Sequence, residues 1–108
     1  MAIDQKMMAG STTLLVLSLL RGGEKYGYEM ILELARRSDN TFQLREGTLY
    51  PILHKLEQDR MVEAFDRETD TGKKRRYYRL TRKGEALLTE KASEWQTFSS
   101  KVNAIVFG

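Results

Sequence analysis

Residues 73–83 carry seven bases (Lys73, Lys74, Arg75, Arg76, Arg79, Arg82 and Lys83) and no acid. A cationic tract of one sign is suited to polyanions, because each base that neutralises a phosphate releases condensed counterions. The whole chain has a formal net charge of only +3, from 18 bases and 15 acids, so the local concentration says more than the total. Upstream of the tract, Leu49, Ile52, Leu53 and Leu56 recur at the spacing of one helical face. With that stripe turned inward, Thr48, Tyr50, Pro51, His54, Lys55 and Gln58 project outward. The Thr, His, Lys and Gln side chains can hydrogen-bond phosphates or base edges in a major groove that admits a helix. Alone, such a face reads more readily as an ordinary solvated surface, and a basic turn can be merely solubilising. Their adjacency in sequence favours nucleic acid.

Other chemistry is poorly supplied. His54 is the sole histidine and there is no cysteine, which removes disulfides, thiolate metal sites and a cysteine nucleophile. No paired-carboxylate motif or glycine-rich phosphate loop accompanies the histidine. The expectation is a protein that is not an enzyme and has no cofactor and no metal site. No apolar run approaches the roughly 18 to 20 residues of a membrane span, and no export signal is visible, so a cytoplasmic location without membrane contact is expected.

The elements that must position these residues follow from periodicity and punctuation. The 108 residues suit one compact unit, and 41% hydrophobic against 31% charged composition argues against disorder. A buried helix is expected over 7–21, stopped by a left-handed cap at Gly22-Gly23. A second helix is expected over 26–37, ended by Ser38-Asp39-Asn40, and a third starts between Glu46 and Thr48. Pro51 argues for a first-turn position in that helix. Two short strands, 61–67 and 75–80, flank the polar segment Glu68-Thr69-Asp70-Thr71-Gly72-Lys73 as a hairpin, with Tyr78 and Leu80 on its core face and Tyr77 and Arg79 on the other. Thr81 is placed to cap a last helix from Arg82 to about Phe107, roughly 39 Å long at 1.5 Å per residue. The fold class is therefore mainly α with a small β-hairpin: a winged helix-turn-helix domain over 1–81 and a long C-terminal dimerisation helix over 82–108, packed as one unit. In it the third helix enters the major groove, and Lys73, Lys74, Arg75 and Arg76 lie on the wing.

Within the last helix, Leu88, Ala92, Trp95, Ser99, Val102 and Val106 alternate four and three residues apart, a heptad seam widened by Phe98 and Ile105. A small domain cannot cover that seam alone, so a second copy is the expected cover, with part of the stripe packing on the chain's own first helix. Trp95 is the only tryptophan and sits mid-seam. Either it is a plain interface anchor, or with Phe98 and Ala92 it lines a site for a small aromatic effector.

Three runs carry a family resemblance: Tyr26-Gly27-Tyr28-Glu29-Met30, then residues 46–57 containing Gly47-Thr48-Leu49-Tyr50-Pro51, then residues 75–84 containing Arg76-Tyr77-Tyr78-Arg79-Leu80-Thr81. In this order, over nearly the whole chain, they resemble the PadR family of transcriptional regulators, in its smaller subfamily with one C-terminal helix. One departure is Arg60-Met61-Val62, where the family more often turns with a glycine. The resemblance implies a homodimeric winged helix repressor on double-stranded DNA at a pseudo-palindromic operator, sometimes released by a small apolar effector. It also implies that a tryptophan such as Trp95 stacks flat aromatic compounds at the dimer interface. The rival from another class is a winged helix protein-interaction module without DNA binding, for which the wing cations would be dispensable and the complex insensitive to modest salt.

Overall fold

The computed structural model describes residues 5–108. Where one helix is expected over 7–21, the chain forms two, α1 (Gln5–Ala9) and α2 (Thr12–Leu19). The break has a local cause. The Ser11 N–H, the Ser11 hydroxyl and the Thr12 hydroxyl all converge on the Met8 carbonyl, at 3.0, 3.1 and 2.9 Å. Short hydroxyl side chains thus satisfy an acceptor that a continuous helix would use, next to Gly10, a poor helix former. Val16, Leu17 and Leu19 on α2 are buried, with Leu20 just beyond it. The helix end also differs from expectation: Leu20 caps α2 in the right-handed region, and Gly23, at φ +127, turns the chain afterwards.

Strand β1 (Lys25–Tyr26) leads directly into α3 (Gly27–Arg37). Tyr26 is therefore extended rather than helical, and the Glu29 carboxylate accepts its N–H at 3.0 Å, closing the first turn. Helix α4 (Glu46–Gln58) begins in the expected window and buries Leu49, Leu53 and Leu56. Pro51 does not lie in its first turn. It sits one turn further in, and the acceptor it orphans belongs to Gly47, an exposed residue open to solvent.

Helix α4 ends in a Schellman motif: the Met61 N–H reaches the Leu56 carbonyl at 2.8 Å and the Arg60 N–H reaches Glu57 at 3.0 Å. The left-handed residue of the motif is Arg60, at φ 62, so an arginine occupies the conformation that glycine adopts without strain. Arg60→Gly is expected to stabilise the fold by about 0.5–1 kcal/mol, the relief of strain partly offset by a freer unfolded chain. Thermal unfolding checks it, and a lower Tm would show that Arg60 is not strained there.

Strands β2 (Val62–Glu68) and β3 (Lys74–Leu80) pair antiparallel from Val62↔Leu80 to Glu68↔Lys74. β1 adds to the other edge of β3, with Tyr26 opposite Tyr77, so the expected two-stranded hairpin is a three-stranded sheet of order β1-β3-β2. Tyr78 is buried and Leu80 packs beside it on the core, as their alternation predicts. Phe65 and Tyr77 stack on the opposite face with ring centroids 6.0 Å apart. Helix α5 (Arg82–Phe107) is capped by Thr81, whose hydroxyl accepts the Gly84 N–H at 3.0 Å. Gly84 is required by packing, since a Cβ there would stand 1.9 Å from the Met61 carbonyl oxygen. Among the described residues no helix is long and apolar enough to cross a membrane.

Candidate nucleic-acid interface

Five of the six α4 residues turned outward in the sequence reading, Thr48, Pro51, His54, Lys55 and Gln58, lie on its exposed face. Lys55 pairs along the helix with Asp59 at 3.4 Å, which leaves its ammonium largely in solvent. The sixth, Tyr50, is half-buried. Its ring packs where α4 meets α3, so close to Gly27 that a Cβ there would lie 2.5 Å from the hydroxyl. The His54 ring lies 6.4 Å from that of Tyr50, and no metal-binding cluster exists among the described residues. Tyr50 thus shapes the edge of the helix while Thr48 and His54 stand free of the core.

The wing cations divide into two kinds. The side chains of Lys73 and Lys74, at the tip and at the start of β3, make no ion pair or hydrogen bond among the described residues. Arg75 has its guanidinium 5.8 Å from the Tyr26 ring centroid, on the outer face of the sheet. Arg76 is turned the other way and engages Glu57 of α4 and Asp66 of β2, at 3.2 and 3.8 Å. Burial raises the pKa of the neighbouring Tyr78 hydroxyl, and the Arg76 charge partly opposes that rise. Nothing in local patterning signalled Glu57: it is one acid on a mixed helix surface, and only the approach of the hairpin to α4 gives it a partner.

The seam of α5 also divides. Leu88, only 4% exposed, belongs to the protomer's own core, because the first turns of α5 pack on α2. It is therefore no surface residue of an interface. Ala92 and Ser99 are half-buried, whereas Trp95, Phe98, Val102, Ile105 and Val106 stand exposed, Ile105 at 85%. Trp95 and Phe98 lie with ring centroids 5.9 Å apart and line an open groove of about 490 Å³ with Met7, Ser11 and Leu14 of the N-terminal helices.

Four helices, a cationic wing and a long final helix with an exposed apolar face define a winged helix protein of the DNA-binding type. The model of the PadR-like family of transcriptional regulators matches residues 16–90. The chain belongs to that family, whose members are transcriptional regulators. It is 33% identical over 106 residues to an uncharacterized protein of Lysinibacillus sphaericus, covering 98% of this chain and 97% of that one. Among solved structures it is similar to a transcriptional regulator from Clostridium thermocellum, with a TM-score of 0.86 and 30% identity over 96% of this chain and 98% of that one. A PadR-like regulator from Bacillus cereus gives a TM-score of 0.85 at 29% identity, over 96% and 99%.

Proposed function

We propose that the protein is a homodimeric repressor, with residues 1–81 reading a pseudo-palindromic operator and 82–108 pairing the two copies. The observation that carries this is the pairing of an exposed α4 face, holding Thr48 and His54, with unpartnered cations on the adjoining wing. Such a surface reads bases with the helix and holds phosphates with the wing. The groove beside Trp95 and Phe98 is the site of a small aromatic effector: two rings and the Met7 thioether offer stacking and dispersion, Lys91 and Glu94 line it with opposite charges, and Ala92, expected there, is not among its lining residues. Occupancy there shifts α5 against α1 and α2, and so the spacing of the two wings.

Selection of duplexes from a random library by the wild-type protein tests both halves of this reading. Enrichment of a twofold-symmetric sequence with half-sites about one helical turn apart is expected. Planar aromatic compounds are expected to quench the single tryptophan saturably and to release the selected duplex. A library that returns no symmetric sequence would overturn the operator reading. A broad aromatic panel that leaves the emission unchanged would leave Trp95 as an interface anchor.

A further inference from the structure

By sequence Arg76 belongs with the wing cations; by geometry it does not. Its guanidinium donates to Glu57 Oε2 on α4 at 3.2 Å and lies 3.8 Å from Asp66 Oδ1, the residue opposite it on β2. Among the described residues, Arg76 and Glu57 form the one side-chain ion pair that joins the hairpin to α4. The outer part of the hairpin, from Asp66 round to Arg76, is largely exposed and adds nothing to the core. Arg67 pairs with Glu24 ahead of β1 and Arg75 lies over the Tyr26 ring, so on the β1 side its direction is set there, and towards α4 it is set by Arg76. We infer that Arg76 is a positioning residue: it holds the wing at a fixed angle to α4 through Glu57, and is not one of the phosphate contacts. The inference rests on the proposed DNA-binding surface.

Two carboxylates already hold the Arg76 charge, and giving it to a phosphate would leave Glu57 facing the polyanion unpaired. Holding the wing in place before DNA arrives lowers the ordering cost of binding. Because the pair is exposed, it adds little to fold stability, and variants at either end are expected to fold.

Glu57→Gln separates the explanations. Loss of a negative charge beside the DNA face would tighten binding if only the overall field mattered. Loss of the brace weakens it. The experiment titrates wild type, Glu57→Gln, Arg76→Gln and the double variant against one library-selected duplex between about 50 and 200 mM salt. Each single variant is expected to bind about three- to tenfold more weakly with an unchanged salt slope, and the double variant no more weakly than either. A tighter Glu57→Gln, no change in either variant, or an Arg76→Gln slope flatter by about 0.9 would overturn the inference, the last by making Arg76 a phosphate contact. Backbone order parameters of residues 66–76 in the DNA-free protein give an independent readout. They are expected to fall in both variants, and unchanged values would overturn the brace. If wild type itself shows no salt-dependent binding, it is the DNA reading that fails, while the order parameters still decide the brace.

Discussion

Replacing Lys73, Lys74 and Arg75 together by alanine is expected to weaken binding to every duplex, selected or random, on the order of a hundredfold at physiological salt. The magnitude follows from counterion release. Each phosphate neutralised contributes about 0.9 to the slope of log K against log salt, so three lost contacts flatten it by between two and three. The structure says where within that interval the result falls. Lys73 and Lys74 have no partner to leave, whereas Arg75 must give up its place over the Tyr26 ring. A loss nearer two identifies Arg75 as part of the sheet's outer face, and Arg75→Ala alone then leaves the slope unchanged. All three residues are exposed, so the fold is expected to survive. An unchanged slope in the triple variant removes the wing from the interface.

Val102→Asp is expected to give a folded monomer. Val102 stands at the surface of the protomer, 38% exposed, with Phe98, Ile105, Val106 and Phe107 as exposed neighbours along α5. An apolar stretch of that length in water is the property of an incomplete assembly, and a second copy of the same helix is its natural cover. An aspartate in the covered seam is an unpaired buried charge. At about 3–5 kcal/mol, that cost weakens association by roughly 10² to 10⁴. The protomer's own core, from Val16 and Leu17 to Leu88, is untouched. Sedimentation equilibrium with circular dichroism checks both points. Operator binding is expected to fall with the dimer, since paired half-sites about 34 Å apart need two wings on one assembly. A Val102→Asp protein that is folded and still dimeric would place the interface elsewhere.

What the amino-acid order determined by itself is local and periodic. Leu49, Ile52, Leu53 and Leu56 specify α4 and its inward face, since a stripe at helical spacing can be buried in only one way. The alternation of Tyr77, Tyr78, Arg79 and Leu80 puts Tyr78 in the core, because strand side chains must alternate. Thr81 is legible as a cap because its hydroxyl meets an N–H of its own first turn. Arg60 stands out in sequence as a turn without its usual glycine, and the structure supplies the reason, a left-handed arginine.

Only the tertiary structure decided the rest. Two residues, Lys25 and Tyr26, are too short a strand to show a period, and they become β1 because the edge of β3 lies open beside them. The hydroxyls of Ser11 and Thr12 divide an apolar run that reads as one helix, a competition invisible to hydropathy. Leu88 and Val102 occupy the same seam in sequence, yet one is core and the other surface, because α2 covers only the first turns of α5. Arg76 and Lys74 look alike in the cationic tract, but alternation on β3 gives both one face and distance along the strand separates them. Arg76 lies near enough to the core to meet Glu57, and Lys74 extends beyond its reach. Periodicity is a property of neighbours in the chain; which charges stay free for a partner depends on what the fold brings beside them.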